Sequence, residues 1–342
     1  MRLFGYIINI TLLFLLSFSS IGCTPATIFE PKPYKETQFL MDTIIEITAY
    51  GPDSEAGVNA AFEEFKQIQK LSDHFDAESQ VTKINQQAGI APVSVSDELI
   101  EMINYANSIS QKTDGAFDIT IGPLTELWGI GHKDDYIPTQ QEIDNVLPLI
   151  DYRKIKIDQA NRTVYLPQAG MKLDLGGIGK DYALYKAAAA LKSCGVKSAL
   201  INAGGDISVI GSKPDGTPWR IGVQDPRDTE NVIAKFPLSP WNTSQTSGDY
   251  QRFFIKDNIR YAHILNPRTG HQPTELASVT LVYNDDEVYS GGDIASSGFM
   301  ILGLEKSLAA LQTFPGVEAI FVTTDGQVII TPGLKAKIDQ EK

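Results

Sequence analysis

SALINAGGDISVIG, residues 198–211, is the stretch that most directly indicates the fold. Its two apolar segments, 198–202 and 207–211, have the length and composition of β-strands. The cluster NAGGD between them (202–206) contains two glycines, which let the strands bend or let a ligand approach the backbone closely. The stretch therefore predicts two neighbouring strands joined by a short turn.

The same kinds of pattern continue on both sides of this stretch. Further strands are predicted at 43–50, 219–223, 252–255, 260–265, 278–283, 317–323 and 327–331. Asp257-Asn258 and Asp325-Gly326 are turns that join strands into hairpins. Apolar residues at helical spacing predict helices at about 58–68, after the cap residue Ser96, at 181–194 and at 295–311.

Strands joined by hairpins, with long helices between groups of strands, indicate an α+β fold with largely antiparallel sheets and packed helices. Strict βαβ alternation is missing, and no GxGxxG motif follows a strand. Both observations argue against a doubly wound nucleotide-binding fold.

The N-terminus has the features of an export signal. Arg2 precedes an apolar run at 6–18, and small residues lead to Cys23, so 1–22 are predicted to be a signal peptide. Cys23 directly after Gly22 resembles a bacterial lipobox and is predicted to be lipidated. Ser20 stands where lipoboxes usually carry Leu, so a soluble secreted protein remains the alternative. The lipid-anchored interpretation predicts a location at the bacterial cell envelope, facing the periplasm or another extracytoplasmic side.

Three further segments are predicted after the signal. Residues 23–37, with three prolines, are predicted to be a lipid-anchored tether, 38–334 a single folded domain and 335–342 a polar tail. The net charge of −13 argues against a nucleic-acid partner and against charge-driven binding to an anionic membrane. Any phosphate site must therefore be built from local donors.

The stretch GGDIASSG (291–298) lies at the start of a predicted helix and offers the carboxylate of Asp293 and the hydroxyl of Ser297. One carboxylate suits Mg²⁺, which completes its coordination with water and substrate phosphates. The stretch therefore suggests a metal site completed by a phosphorylated ligand. In the alternative interpretation Asp293 only caps the helix.

Other polar clusters carry further candidate groups. In LDLGGIGK (173–180), Asp174 and Lys180 flank a glycine turn that opens a helix, where backbone N–H groups and an ammonium suit a phosphate. A tight turn with a surface lysine is the alternative. TSGDY (246–250) is predicted to be a loop before a strand. His263 ends a predicted strand in AHILNPRTG (262–270), and a structural role is its alternative to catalysis.

Six of these motifs in this order resemble the ApbE family of flavin transferases. They are TDGAFD (113–118), LDLGGIGK, NAGGD, SGDY, HILNPRTG and GGDIASS, and the resemblance runs from about Met41 to Thr331. It implies an ApbE-like, T-fold-like architecture. It also implies a Mg²⁺-dependent enzyme that cleaves FAD and attaches FMN through a phosphoester to a Ser or Thr of a partner flavoprotein, releasing AMP. The acceptor that the resemblance implies would carry a flavinylation motif and belong to a redox membrane complex.

Two other activities remain open on the same resemblance. Some family members hydrolyse FAD to FMN and AMP, with water in place of the acceptor hydroxyl. A flavin-binding lipoprotein without catalysis is the third hypothesis.

The resemblance assigns roles residue by residue. The metal ligands would be the Asp293 carboxylate, the Ser297 hydroxyl and the Gly177 carbonyl, with His263 as the catalytic base. The FAD-binding residues would be Met41, Phe75, Ala116, Phe117, Asp118, Asp174, Lys180 and Leu265. Two positions depart from the family pattern: Ser297 replaces the usual Thr, which loses a stiff β-branch, and Asp181 replaces a glycine beside the phosphate site.

Overall fold

The computed structural model describes residues 32–133, 135–285 and 295–338. The predictions made for 1–31, including the signal peptide and Cys23, lie outside the described residues, as do Asp293 and the last four residues of the tail. No helix in the described ranges has both the length and the apolar character needed to span a bilayer.

The described chain contains fifteen strands. They are β1 (Tyr34–Leu40), β2 (Thr43–Tyr50), β3 (Val93–Ser94), β4 (Lys156–Asp158), β5 (Thr163–Tyr165), β6 (Ser198–Ala203), β7 (Asp206–Ile210), β8 (Arg220–Gln224), β9 (Val232–Pro237), β10 (Thr243–Gly248), β11 (Phe253–Lys256), β12 (Ile259–Ala262), β13 (Leu276–Tyr283), β14 (Glu318–Thr323) and β15 (Val328–Ile330). Eight of them form one sheet in the order β1-β2-β6-β7-β10-β13-β14-β15, and every described pair in it is antiparallel.

Nine α-helices accompany these strands in the described ranges. They are α1 (Ser54–Ser72), α2 (Gln80–Gln86), α3 (Asp97–Lys112), α4 (Gly122–Trp128), α5 (Gln140–Val146), α6 (Gly179–Ser193), α7 (Ser296–Leu302), α8 (Leu304–Leu311) and α9 (Pro332–Lys335). The α+β prediction, with a largely antiparallel sheet and packed helices, is confirmed.

The large sheet is covered on both faces. Alternate residues of β13 show this: Val279 and Leu281 pack with Phe299 of α7, whereas Val282 packs on the other side with Phe236 of β9. Since both faces are buried, all eight residues of β13 are buried. Under β2 and β6, the helices α1, α3 and α6 complete the largest core.

Three predictions of local structure are wrong. The tether was expected to continue to residue 37, but β1 starts at Tyr34 and pairs with β2 along its whole length, because its sequence alternates inward and outward residues once the prolines end. TSGDY was expected to be a loop, but its first three residues end β10, which hydrogen-bonds to β7 and β13. The helix expected at 295–311 breaks at Gly303, whose φ of 78° is outside the helical range.

Candidate functional site

The sequence motifs converge on one cleft of about 1010 Å³. Every predicted site residue that the structure describes lines it: Met41, Phe75, Ala116, Phe117, Asp118, Asp174, Gly177, Lys180, His263, Leu265 and Ser297. Asp293 and Cys23 are the two predicted positions outside the described residues. Groups that are far apart in sequence therefore share one cavity, as the resemblance implies.

Phe117 is the residue through which three of the motifs contact one another. A Cβ on Gly177 would lie 2.9 Å from Cε2 of Phe117, so only glycine lets the LDLGGIGK turn approach the ring this closely. From the other side, a Cβ on Gly298 would lie 3.3 Å from Cβ of Phe117. Phe117 thus packs against both the 173–180 turn and the start of α7.

Two of the three groups predicted to hold Mg²⁺ lie in the described residues, and their oxygens suit that ion. The hydroxyl Oγ of Ser297 lies 3.9 Å from the position that a Cβ on Gly177 would take, so this hydroxyl and the Gly177 backbone are neighbours. Hydroxyl, carbonyl and carboxylate oxygens are the donors that a hard divalent cation prefers. The neighbouring Ser296 is fixed by its N–H, which donates to Oε1 of Gln245 at 2.9 Å, and by Oγ, which is 2.7 Å from Oγ of Ser247.

Lys180 forms an ion pair inside the cleft. Its Nζ donates to Oδ2 of Asp206, a residue that is only 3% exposed. The N–H of Thr246 donates to the other oxygen of the same carboxylate, Oδ1, at 2.8 Å. Burial acts to lower the pKa of Lys180, but the charges of Asp206 and Asp181 outweigh it and raise that pKa. Lys180 is therefore a fixed ammonium. The sequence does not indicate its partner Asp206, because only the fold brings β7 beside α6.

Asp181, the departure from the family pattern, is part of the same cluster. Burial and the neighbouring Asp206 raise the pKa of its carboxyl well above the usual range, while Lys180 and Gln245 act to lower it. Asp181 also lines the cleft. A second acid thus lies near the ammonium of Lys180.

Asp181→Asn is expected to stabilise the fold at pH 7–8, by about 0.5–2 kcal/mol. A carboxyl whose pKa is raised by folding favours the folded state at low pH, and that contribution is lost as pH rises through the folded pKa. The asparagine does not titrate, so the stability difference should grow from pH 4 to pH 8. Urea unfolding at both pH values measures it, and an equal difference at both would contradict the expectation.

His263 follows β12 directly, so the strand is shorter than the sequence predicts. Its backbone N–H donates to the carbonyl of Arg252 at 3.0 Å, and its ring Nδ1 is 3.3 Å from the same oxygen. A carbonyl only accepts, so this contact favours the tautomer with a proton on Nδ1 and leaves the lone pair of Nε2 available. Burial, with the charge of Arg252, lowers the pKa of His263 to about 4. The ring is therefore neutral at pH 7.

Two further acids of the cleft, Asp118 and Asp174, are held by the chain itself. Asp118 accepts hydrogen bonds from the N–H and hydroxyl of Thr120, at 2.8 and 2.6 Å, and from the N–H of Tyr152 at 2.9 Å. Burial raises its pKa, against these hydrogen bonds. Asp174 accepts from the N–H of Gly176 at 2.8 Å and from the hydroxyl of Thr125 at 2.9 Å. Both carboxylates are suited to fixing the loops of the cleft rather than to removing a proton.

Phe75 projects into the cleft from the segment after α1 and is 63% exposed. Its ring is in tilted contact with those of His74 and His132, with centroids 4.1 and 4.4 Å away. Its role as a stacking surface stays a prediction. The two flanking histidines were missed, because sequence spacing alone offers them no partner.

Arg252 is a further cation in the cleft that sequence analysis missed. Its Nη2 forms an ion pair with Oδ2 of Asp42 at 2.9 Å and donates to the Asp42 carbonyl at 3.3 Å. It also supplies the carbonyl that orients His263. Lys180 and Arg252 are thus paired cations of the cleft that lie near a neutral imidazole.

Comparisons with known proteins agree with this arrangement. A model of the ApbE family matches residues 41–321. A Klebsiella pneumoniae protein named FAD:protein FMN transferase is 35% identical over 300 residues, covering 87% of this chain and 92% of that protein. A Treponema pallidum protein of the same name is 31% identical over 328 residues, covering 90% and 89%.

Solved structures show the same architecture. The crystal structure of the ApbE protein from Thermotoga maritima superposes with a TM-score of 0.81 at 32% identity, covering 90% of this chain and 100% of that one. The flavinyl transferase ApbE from Pseudomonas stutzeri, in its apo form, gives 0.77 at 29% identity, covering 91% and 98%. The family resemblance and the ApbE-like architecture are therefore confirmed. This chain belongs to the ApbE family of transferases.

Proposed function

We propose that this chain is a Mg²⁺-dependent FAD:protein FMN transferase, which attaches FMN through a phosphoester to a Ser or Thr of a partner protein and releases AMP. The observation that carries the proposal is a neutral His263, oriented by one ring nitrogen, in the same cleft as the cation Lys180 and the oxygen donors Gly177 and Ser297. The names of the related proteins support the same reaction.

FAD suits the cleft in size and in polarity. A volume of about 1010 Å³ is at the upper end of the range for small-molecule sites, as a dinucleotide requires. The exposed ring of Phe75 offers an apolar face for the flavin, and Lys180 and Arg252 offer positive charge for the pyrophosphate.

The groups that would hold Mg²⁺ are the Gly177 carbonyl, the Ser297 hydroxyl and the Asp293 carboxylate. When bound, the ion supplies positive charge that offsets the negative charge of the phosphates. Phe117 packs against both the Gly177 turn and the start of α7, which carry two of these donors.

The reaction requires that a hydroxyl loses its proton as it attacks phosphorus. His263 Nε2 accepts the proton of the acceptor Ser or Thr, and the oxygen forms a bond to the phosphorus on the riboflavin side. The bond from that phosphorus to the bridging oxygen breaks, and AMP leaves with the electron pair. Lys180 and Arg252 stabilise the charge that develops on the departing phosphate.

Intact-mass spectrometry tests the proposal. The chain without residues 1–23 is mixed with FAD, Mg²⁺ and an acceptor domain carrying a Ser/Thr flavinylation motif, and AMP is followed in parallel. An acceptor heavier by one FMN, absent with EDTA, is the expected result. AMP and free FMN with every acceptor unmodified would instead identify an FAD pyrophosphatase. FAD bound without any product would identify a flavin-binding protein.

We also propose that the chain acts at the bacterial cell envelope, anchored by a lipid on Cys23, where it would meet acceptor subunits of redox membrane complexes. The support is the pattern of residues 1–23: a charged start, an apolar run and a cysteine after small residues. Cys23→Ser should move the protein from the membrane fraction to the soluble envelope fraction. An unchanged distribution would exclude the lipid anchor.

A further inference from the structure

Two large apolar side chains face solvent beside a turn that lines the cleft. Phe39 of β1 and Ile44 of β2 are 69% and 62% exposed, and they are direct cross-strand partners. The turn between them, Met41-Asp42, lines the cleft. Side chains this large are seldom left together in water without a function, and contiguous exposed apolar patches mark sites of interaction.

A second apolar pair lies on the hairpin β11–β12. Phe253 and Ile255, two residues apart on β11, share one face of that hairpin and are 39% and 57% exposed. The ion pair between Arg252 and Asp42 joins the base of this hairpin to the tip of β1–β2. The ring of His263 contacts the backbone carbonyl of Arg252, and the side chain of Arg252 pairs with Asp42. Both apolar pairs therefore lie on the side of the cleft that holds the proposed base, His263.

Two ion pairs lie near these apolar pairs, and the guanidinium of Arg260 stacks on the ring of Phe253, 3.8 Å from its centroid. Lys35 pairs with Glu46 at 2.7 Å on β1–β2, and Arg252 pairs with Asp42. The whole chain carries a net charge of −13. An anionic lipid surface would be repelled by this chain, so an apolar protein segment is the occupant that the charges favour.

We propose that Phe39 and Ile44, together with Phe253 and Ile255, form the surface on which the acceptor protein seats apolar side chains flanking its Ser or Thr. This inference rests on the proposed function. The acceptor hydroxyl must reach Nε2 of His263, and a segment that contacts both hairpins passes over the Arg252–Asp42 pair directly beside that ring. Apolar anchors near the reacting group hold it in place and lower the acceptor KM.

The test is the double variant Phe39→Thr/Ile44→Thr, assayed for FMN transfer to an acceptor domain that the wild-type chain modifies in the mass assay. Both sites are exposed and Thr keeps β propensity, so the fold should survive. The expected result is an acceptor KM raised about tenfold, with kcat and the FAD dissociation constant unchanged. The control is Val328→Thr, at an exposed site on β15, the opposite edge of the sheet.

The outcomes separate this inference from the proposed function. A wild-type chain that modifies none of the acceptors removes the proposed function and this surface with it. Normal wild-type transfer with an unchanged KM in the double variant removes the surface alone. If the double variant loses heat stability, the single variants and Ile255→Thr give the same comparison. A variant that keeps its acceptor KM but no longer sediments with anionic vesicles would identify a membrane contact instead, which overturns the proposal.

Discussion

His263→Gln is expected to lower kcat for FMN transfer by about 10²- to 10⁴-fold, the usual contribution of a general base. FAD affinity should stay within about twofold, because glutamine keeps a polar side chain of similar reach in the cleft. The expectation follows from geometry: the contact of Nδ1 with the Arg252 carbonyl leaves Nε2 as the free acceptor. Mass spectrometry of the acceptor over time gives the rate, and fluorescence quenching of FAD gives the affinity.

The pH dependence of the wild-type chain gives an independent check. Burial and Arg252 lower the pKa of His263 to about 4, so the base is already deprotonated well below neutrality. The acid limb of kcat/KM, which reflects the free enzyme, is expected near pH 4 instead of near 6.5. A bound pyrophosphate would offset the charge of Arg252 and raise that pKa, so the acid limb of kcat should lie at higher pH.

His271→Gln is the matched control for this variant. His271 is exposed, bonds to Gln140 at 3.1 Å and is not among the residues that line the cleft, so its replacement should leave the rate unchanged. A His263→Gln protein with more than half of the wild-type kcat would remove His263 from the mechanism. An equal loss in both variants would indicate a general effect on folding.

The hairpin turns show what local sequence determines. Asp257 and Asn258 both have positive φ, 51° and 61°, as the two-residue turn predicted from their side chains requires. Ser96 accepts from the N–H of Leu99 at 3.2 Å and caps α3 as predicted. In each case the residues that determine the geometry are within a few positions of one another, so a sequence pattern is sufficient.

β10 and Gly303 show where local sequence is insufficient. The polar residues of β10 have no strand pattern, and the strand exists because β7 and β13 supply hydrogen-bonding partners on both sides. At Gly303, a Cβ would collide with the carboxylate of Glu275, which accepts from the N–H of Leu304 at 3.1 Å. Both outcomes depend on residues distant in sequence.

The site divides in the same way. The lining residues that were predicted, from Met41 to Ser297, follow from the order of motifs, which records family membership. The ion partners Asp206 and Asp42 were not predicted, because a motif gives residue types and spacing but no pairing between segments. Those partners determine the charge that Lys180 and Arg252 present to a phosphate.

Lys180→Met is expected to destabilise the fold by about 3–5 kcal/mol, the usual cost of leaving one charge of a buried pair alone. The side chain of Asp206 is 4% exposed, so without the ammonium its carboxylate is neither solvated nor neutralised. Transfer by the folded fraction should also fall by about 10²- to 10³-fold, because a positive charge beside the pyrophosphate is lost. Urea unfolding and the mass assay measure the two effects separately.

The double variant Lys180→Met/Asp206→Asn separates the structural role of the pair from its catalytic role. The asparagine oxygen can still accept the N–H of Thr246, and no buried charge remains, so most of the lost stability should return. Transfer should remain low, because the neutral pair offers no charge to the phosphate. Recovery of both properties would mean that Lys180 serves only to neutralise Asp206. If Lys180→Met unfolds at the same urea concentration as the wild-type chain, the Lys180–Asp206 pair does not stabilise the fold.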